Sequence, residues 1–153
     1  MRHSTFSSAF VLAAPMDEVW AFHADPAMLA RVMPGLPRLR VTRFDAPLHV
    51  GSAIHLEVAL GPIRQPWELT VIEVAPGCQF VDQQTGRGPM AYWRHTHAFE
   101  ATEDGTRVID HIEYALPLGV LGRVGAALFG RLGMGMLFAV RRRKTEAWFA
   151  RKR

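Results

Sequence analysis

The sequence has a single cysteine, Cys78, among its 153 residues. One cysteine cannot form an internal disulfide and cannot supply a multi-cysteine metal site. A chain without disulfides is compatible with a reducing compartment, so we expect a cytoplasmic protein. We expect Cys78 itself to be a small buried residue rather than a nucleophile, because no feature of the sequence points to a base beside it.

The sequence also lacks a long apolar run without charges. The apolar segment at residues 9–14 ends at Pro15 and is too short for the core of a signal peptide. Residues 116–140 are strongly apolar, but they include Pro117, Arg123 and Arg131. A membrane-spanning helix needs about 20 apolar residues with few or no charges. We therefore expect no membrane span.

The excess of positive charge is small, with 18 Lys and Arg residues against 14 Asp and Glu residues. The basic residues are concentrated near the C-terminus, at Arg141, Arg142, Arg143, Lys144, Arg151, Lys152 and Arg153. Because this concentration is local, we do not expect DNA binding. The run Arg141–Lys144 has two interpretations: a solvated face that suits the negative end of a helix dipole, or peripheral contact with anionic lipids or a partner.

The composition is that of an ordinary globular protein, with 49% hydrophobic and 21% charged residues. Its length suits one domain over residues 1–153. Pro15 predicts the start of a helix that continues to Ala24, and Asp25-Pro26 predicts a second short helix to about Met33.

The middle of the chain predicts a meander of short strands joined by tight turns. Asp104-Gly105 predicts a hairpin between the last two of them. The predicted strands after the two helices are Arg38–Phe44, Ser52–Leu60, Arg64–Ala75, Gln79–Thr85, Met90–Ala101 and Thr106–Leu116. With an apolar strand at the N-terminus, the prediction is one antiparallel sheet of about seven strands.

The last part of the chain, Leu118–Arg153, predicts a long helix without proline. Its apolar residues recur every three to four positions, at Leu121, Val124, Leu128, Leu132, Met136 and Val140. A straight helix of that length would overhang a compact domain, so we expect a bend or break near Gly130–Gly135. The predicted fold class is α+β, a curved antiparallel sheet covered by the C-terminal helix.

The order of these elements resembles that of the START-like (SRPBCC) superfamily, and most of all its polyketide cyclase/dehydrase and coenzyme-Q-binding-like branch. The residues that carry the resemblance are Phe80-Val-Asp82, Gly88-Pro89, Trp93-Arg-His95-Thr-His97-Ala-Phe99, Gly105-Thr106 and Asp110-His-Ile-Glu-Tyr114-Ala-Leu-Pro117. The resemblance covers almost the whole chain and implies a helix-grip fold with a ligand cavity between sheet and helix. It implies no catalytic set, because members of the superfamily bind lipids, quinones or polyketides and many are not enzymes.

The predicted hairpin places an unusual set of polar residues in the interior. If the loop is Asp104-Gly105, the numbers of two paired residues sum to 209, and if it is Thr102–Gly105, they sum to 207. Both registers put the same side chains on one face of the hairpin. That face contains Trp93, His95, His97, Phe99, Val108, Asp110, Ile112 and Tyr114, with Asp110 within reach of His97. The neighbouring strand is predicted to add Phe80, Asp82 and Gln84.

Three roles fit these buried polar residues. They form a structural hydrogen-bond network, they hold the polar group of a ligand, or they catalyse a reaction with His97 and Asp110 as an acid–base pair and Tyr114 as a donor. A metal site at His95-x-His97 with Asp82 or Asp110 is a fourth interpretation. Because that spacing is common by chance, we expect no metal and no other cofactor.

The C-terminal helix is rich in glycine, which is costly in a helix and leaves room beside the sheet for a bulky apolar molecule or allows close helix–sheet contact. We therefore expect a cavity of roughly 300–1,000 Å³ that binds a hydrophobic or amphipathic molecule such as a lipid, quinone or polyketide. The expected ligand-binding residues are Phe80, Asp82, Gln84, Trp93, His95, His97, Phe99, Asp110, Ile112, Tyr114, Leu121, Leu128, Leu132 and Met136. The alternatives are a cyclase or dehydratase in the same cavity and an interaction protein that docks through its basic helix.

Overall fold

The computed structural model describes residues 3–119, 124–125 and 130–152. Its strands are β1 (Ser4–Leu12), β2 (Arg38–Phe44), β3 (Ala53–Leu60), β4 (Ile63–Ala75), β5 (Gln79–Gln84), β6 (Tyr92–Thr102) and β7 (Gly105–Ala115). Its helices are α1 (Met16–His23), α2 (Pro26–Val32) and α3 (Arg131–Arg151). All the predicted strands after α2 are confirmed to within two residues at each end.

The strands form one antiparallel sheet in the order β1-β7-β6-β5-β4-β3-β2. Each strand from β2 to β6 pairs with the next along the chain, and β1 pairs with β7. The pairing shifts register in β2 at Val41/Arg43 and in β4 at Val71/Glu73. Such bulges bend a strand and increase its twist. The predicted α+β helix-grip fold is confirmed: a curved sheet, two short helices after β1, and a long C-terminal helix.

The two short helices begin where the sequence predicts. Pro15 occupies the N-cap of α1, and Asp17 and Glu18 lie in its first turn, near the positive end of the helix dipole. Asp25 caps α2, because its carboxylate accepts the backbone N–H of Ala27 at 2.8 Å.

The hairpin between β6 and β7 has the predicted register in which paired residue numbers sum to 207, with Thr102 paired to Gly105 and His97 paired to Asp110. The turn itself is two residues, Glu103 and Asp104. Gly105 has a φ of +133°, and a Cβ there would collide with the carbonyl of Leu12. All eight side chains assigned to the inner face are buried, namely Trp93, His95, His97, Phe99, Val108, Asp110, Ile112 and Tyr114. The prediction of the inner face is therefore confirmed.

Helix α3 faces the sheet with a different stripe from the predicted one. The buried residues are Met134, Phe138, Thr145 and Phe149, whereas Leu132 and Met136 are each 66% exposed. The two stripes are two residues apart, which is about 200° around a helix. The prediction that Leu132 and Met136 line the cavity is therefore wrong. Leu121 and Leu128, the other two helix residues predicted there, lie outside the described residues.

Close helix–sheet contact explains one of the glycines near the start of α3. A Cβ on Gly130 would lie 2.5 Å from the hydroxyl of Tyr114, so a side chain does not fit there. Gly133 and Gly135 have open space around them. The helix continues from Arg131 to Arg151, so the expected break does not fall within residues 131–135.

Two further predictions concern the surface. Cys78 is exposed in the turn between β4 and β5, which corrects the expectation that it is buried. The Pro76-Gly77 turn places it at the end of the inner strands β4 and β5, where its N–H donates to the carbonyl of Ala75 at 2.9 Å. Across the described residues, none of the helices has the length and apolar character to cross a membrane.

Candidate functional site

A cavity lies between the inner face of the sheet and helices α1, α2 and α3. Strands β2–β4 line it with apolar side chains, including Phe44, Ile54, Leu56, Trp67 and Leu69. Its polar wall is formed by His23, Asp82, His95, His97 and Arg141. The cavity volume is about 80 Å³. The expected size is therefore wrong, because large side chains such as Trp67, Trp93 and Phe138 occupy much of the space.

The structure brings five of the predicted ligand-binding residues together on the cavity wall: Phe80, Asp82, Trp93, His95 and His97. Four others are buried but do not line the cavity, namely Phe99, Asp110, Ile112 and Tyr114. Gln84 is half-buried, and its Nε2 donates to the carbonyl of Met90 at 2.9 Å. Of the three residues weighed for catalysis, His97 alone lines the cavity.

The polar wall is built from two aspartate–histidine pairs that lie side by side. Nε2 of His95 is 2.8 Å from Oδ1 of Asp110, and Nε2 of His97 is 2.9 Å from Oδ2 of Asp82. Nε1 of Trp93 donates to the other oxygen of Asp82 at 3.2 Å. The ring centroids of His95 and His97 are 3.7 Å apart. The ring of His97 also stacks on that of Phe80, with a centroid distance of 4.1 Å. We name Asp82, His95, His97 and Asp110 the polar cluster.

The pairing within the polar cluster differs in part from the prediction. Asp110 is the direct cross-strand neighbour of His97, as the hairpin arithmetic requires, but Nδ1 of His97 is 3.6 Å from Asp110 and makes no hydrogen bond. Its hydrogen-bond partner is Asp82 on the other neighbouring strand. Pairing arithmetic between two strands cannot find this partner, because the carboxylate comes from the third.

The carboxyl groups of the polar cluster are held in the ionised form. Burial by itself raises the pKa of an aspartate, but here the favourable contacts outweigh it. The charge of Arg141 and the hydrogen bond from His95 lower the pKa of Asp110 well below its usual range. The hydrogen bond from His97 and the nearby His95 likewise lower the pKa of Asp82.

For two histidines of the cavity wall, the effect of burial on the pKa outweighs that of the hydrogen bonds. Burial lowers the pKa of His97 to about 3, although its hydrogen bond to Asp82 works against this effect. Burial also lowers the pKa of His23 to about 4, against the effect of its bond to the carbonyl of Val19. Because a carbonyl only accepts, Nδ1–H of His23 donates at 2.8 Å. Both rings are therefore neutral at pH 7.

Three groups of the polar cluster have the donor types of a metal site. One ligand atom each of Asp82, His95 and His97 lies within 4.8 Å of the other two. The third ligand that the sequence left open between Asp82 and Asp110 is Asp82 in this arrangement.

Sequence reasoning missed the apolar residues that β2–β4 and the helices add to the cavity wall, and it missed two residues of the polar wall, His23 and Arg141. His23 ends α1, and nothing in the sequence sets it apart from an ordinary helix terminus. Arg141 was assigned to the basic run, but it lies three residues after Phe138 and four before Thr145, both of which face the sheet. The spacing of the correct helix stripe is the signal that would have found it.

The basic run Arg141–Lys144 does not form one free surface. Arg141 lies in the cavity wall, its guanidinium 4.8 Å from the ring of Phe138. Arg142 pairs with Glu146 at 2.7 Å, and Lys144 donates to the carbonyl of Met33. Arg143 is exposed. Each side chain therefore has its own environment.

Comparison with solved structures shows the same fold in proteins of low sequence identity. TTHA0849 from Thermus thermophilus is 15% identical, with a TM-score of 0.76 over 97% of this chain and 99% of that protein. CV1439 from Chromobacterium violaceum is 17% identical, with a TM-score of 0.72 over 95% and 96% of the two chains. At these identities the likeness shows the fold alone.

The di-domain ARO/CYC StfQ from the steffimycin biosynthetic pathway is 12% identical, with a TM-score of 0.74. The match covers 98% of this chain and 51% of StfQ. No curated protein sequence matches the chain. The profile of the polyketide cyclase/dehydrase and lipid transport family matches residues 12–137, most of the sequence. The chain therefore belongs to this family.

Proposed function

We propose that this chain is a single ligand-binding domain that holds a hydrophobic or amphipathic small molecule in the cavity between sheet and helices. The observation that carries the proposal is the division of the cavity wall into an apolar end on β2–β4 and a polar end beside α3. Ligand sites are typically apolar cavities with a few placed polar groups. A lipid, quinone or polyketide-like molecule has this combination of surfaces.

Arg141 supports an amphipathic rather than a purely apolar ligand. Its side chain is 12% exposed and lies 4.0 Å from Oδ1 of Asp110, beyond hydrogen-bond distance. Within the described residues its guanidinium makes no hydrogen bond, although a guanidinium has five N–H donors. A ligand oxygen at the polar end would satisfy these donors.

The small volume of the cavity bears on how a ligand enters. A volume of about 80 Å³ is below that of most ligand sites, so a bulky ligand requires the walls to move apart. We expect this movement in side chains and in the short helices α1 and α2, because the strands are joined to one another by a ladder of hydrogen bonds.

The test uses two variants of one strand and the uncharged, solvent-sensitive dye prodan. Leu56 lines the cavity and is 6% exposed, whereas Leu60 on the same strand is 58% exposed. We expect prodan to bind the native chain and Leu60→Trp with a blue-shifted emission. Leu56→Trp fills the cavity and is expected to weaken binding by at least about ten-fold, or about 1.4 kcal/mol. Equal binding by all three proteins would contradict the proposal.

The second candidate function is a cyclase or dehydratase in the same cavity. It is favoured by the hydrogen bond between Asp82 and His97, because a carboxylate that orients a cavity-lining imidazole is the arrangement of a general base. Asp82 takes the orienting role first predicted for Asp110. A bell-shaped pH–rate profile on a polyketide-like substrate, lost in His97→Ala but kept in His111→Ala, would establish it.

Peripheral membrane contact through the basic run stays a prediction: Arg142, Arg143 and Lys144 are exposed, whereas Arg141 lies in the cavity wall. The exposed thiol of Cys78 fits a reducing compartment, so we also propose a cytoplasmic location.

A further inference from the structure

The donor atoms of the polar cluster are spaced like ligands of a single cation. Two ligand atoms bound to one transition-metal ion at the usual 2.0–2.2 Å are about 3.0–3.5 Å apart. Oδ2 of Asp82 lies 2.9 Å from Nε2 of His97 and 3.9 Å from Nδ1 of His95. One ligand atom of each of the three groups lies within 4.8 Å of the other two, so the side chains would have to draw together to share one ion.

Two of these three groups, His95 and Asp82, are oriented by a second group behind them. Nε2 of His95 is held by Asp110 at 2.8 Å, which leaves Nδ1 for the ion. Nε1 of Trp93 holds Oδ1 of Asp82, which leaves Oδ2. A carboxylate behind a histidine and a donor behind a carboxylate are the outer-shell contacts that fix ligands at metal sites and raise the basicity of the imidazole.

The electrostatic environment also suits a cation. Asp82 and Asp110 are 4% and 5% exposed, so two carboxylates lie close together away from water. Among the described residues that line the cavity, Arg141 is the one permanent cation, and it contacts Asp110 rather than Asp82. The three donor groups line the cavity, which provides the route for entry.

We propose that Asp82, His95 and His97 bind one divalent transition-metal ion, with Asp110 and Trp93 as supporting groups. Two imidazoles and one carboxylate suit zinc, iron or cobalt more than magnesium or calcium. Three protein ligands leave coordination positions for water or a ligand on the cavity side, as in catalytic rather than structural sites. This inference departs from the sequence prediction of no metal, because the positions of Asp82 and its supporting groups could not be read from the spacing His95-x-His97. It also goes beyond small-molecule binding and is independent of it.

The test is a titration of the chelator-treated protein with Zn²⁺ by calorimetry and with Co²⁺ by visible absorption. We expect one equivalent of metal bound and the absorption bands of a low-symmetry Co²⁺ site. Asp82→Asn and His95→Ala should lose stoichiometric binding, and Asp110→Asn should weaken it by about 10–100-fold. His111→Ala is the matched control, since it removes an imidazole from the outer face of β7 and should bind as the native chain does.

A measurement on the native chain covers the case in which a variant fails to fold. X-ray absorption of the zinc-loaded protein should show nitrogen and oxygen ligands with the scattering of two imidazoles and no sulfur. Absence of stoichiometric binding, a spectrum without imidazoles, or full binding by Asp82→Asn would each overturn the proposal. Prodan binding is measured in parallel without metal, so its loss or retention reports on the proposed small-molecule function alone.

Discussion

The two halves of the sheet that face α3 are both antiparallel, but one lines the cavity with apolar side chains and the other with polar ones. Strands β2–β4 contribute Phe44, Ile54, Leu56, Trp67 and Leu69 to the cavity and no charged side chain among the described lining residues. Strands β5 and β6 contribute Asp82, His95 and His97, and β7 supports them with Asp110. Both halves are buried, but one is held by apolar packing and the other by hydrogen bonds between charged and neutral groups.

The difference predicts how each half loses stability when a side chain is replaced. An apolar wall loses transfer free energy and packing when a side chain is shortened, and the cost depends on whether neighbours relax into the space. A polar wall loses more when one partner is removed than when both are, because the remaining group stays buried without a hydrogen bond. Four variants separate these two kinds of cost.

The largest effect is expected in the apolar half. Leu69 is 5% exposed and belongs to the core cluster with Ile54, Leu56 and Trp67. Leu69→Ala should lower the free energy of unfolding by about 2–5 kcal/mol. Leu60→Ala, on an exposed side chain of the adjacent strand, should change it by no more than about 0.5 kcal/mol. Urea unfolding followed by tryptophan fluorescence measures both, and equal losses would show that the apolar wall is not tightly packed.

The next effect is expected in the polar half. Asp110→Ala leaves Nε2 of His95 buried without its acceptor and should cost about 1–3 kcal/mol. His111→Ala on the outer face removes only an exposed hydrogen bond to Ser7 and should cost less than about 1 kcal/mol. A larger loss for His111→Ala than for Asp110→Ala in thermal unfolding would mean that the two faces of β7 are exchanged.

The polar end of the cavity, to which α1 contributes His23, should respond to acid, whereas the apolar half should not. The pKa of His23 falls from 6.5 to about 4 on folding, so between these values the unfolded chain binds a proton that the folded chain does not. Its contribution to stability is complete above pH 6.5 and is lost as the pH falls toward 4, with a slope of at most about 1.4 kcal/mol per pH unit.

His23→Gln should therefore reduce the loss of stability between pH 6.5 and 4, whereas Leu69→Ala should lower stability by the same amount at each pH. The measurement is urea unfolding at several pH values in the presence of chelator. An unchanged slope in His23→Gln would show that the imidazole is not buried in its neutral form.

The exposed stripe of the helix that covers both halves should give the smallest effect, and its buried stripe serves as the comparison, with a loss as large as that of Leu69→Ala. Met136 is 66% exposed and Phe138 is 4% exposed. Met136→Gln should change the free energy of unfolding by no more than about 0.5 kcal/mol, and Phe138→Ala should reduce it by about 3–5 kcal/mol. If thermal unfolding shows the reverse order, the helix faces the sheet with the stripe that its leucines and methionines predict.

Local signals predicted most of the fold because each acts over a few residues. Pro15 and Asp25-Pro26 set the starts of the two short helices, and alternation of side chains set the strands. The inner face of β6 and β7 followed from period-two geometry, because the loop types considered give the same faces. The family resemblance predicted the helix-grip architecture, which the sheet order confirms.

The errors share a physical cause, which is that they needed contacts between distant residues. The buried stripe of α3 depends on which of its side chains pack against the sheet. Phe138 and Phe149 are buried there, whereas Leu132 and Met136 are exposed to solvent. The cavity volume depends on how far Trp67, Trp93 and Phe138 reach into one space from different elements.

The sequence by itself determined the elements, the strand order of the meander and the face on which two histidines and two aspartates are buried, because periodicity and turn chemistry are local properties of the chain. Only the tertiary structure decided that His97 forms a hydrogen bond with Asp82 and His95 with Asp110. It also decided that Arg141 lies in the cavity wall and not on the surface with the rest of the basic run. Those contacts join β5, β6, β7 and α3, and side-chain pairing across elements is fixed by the curvature of the sheet and the rotation of the helix upon it.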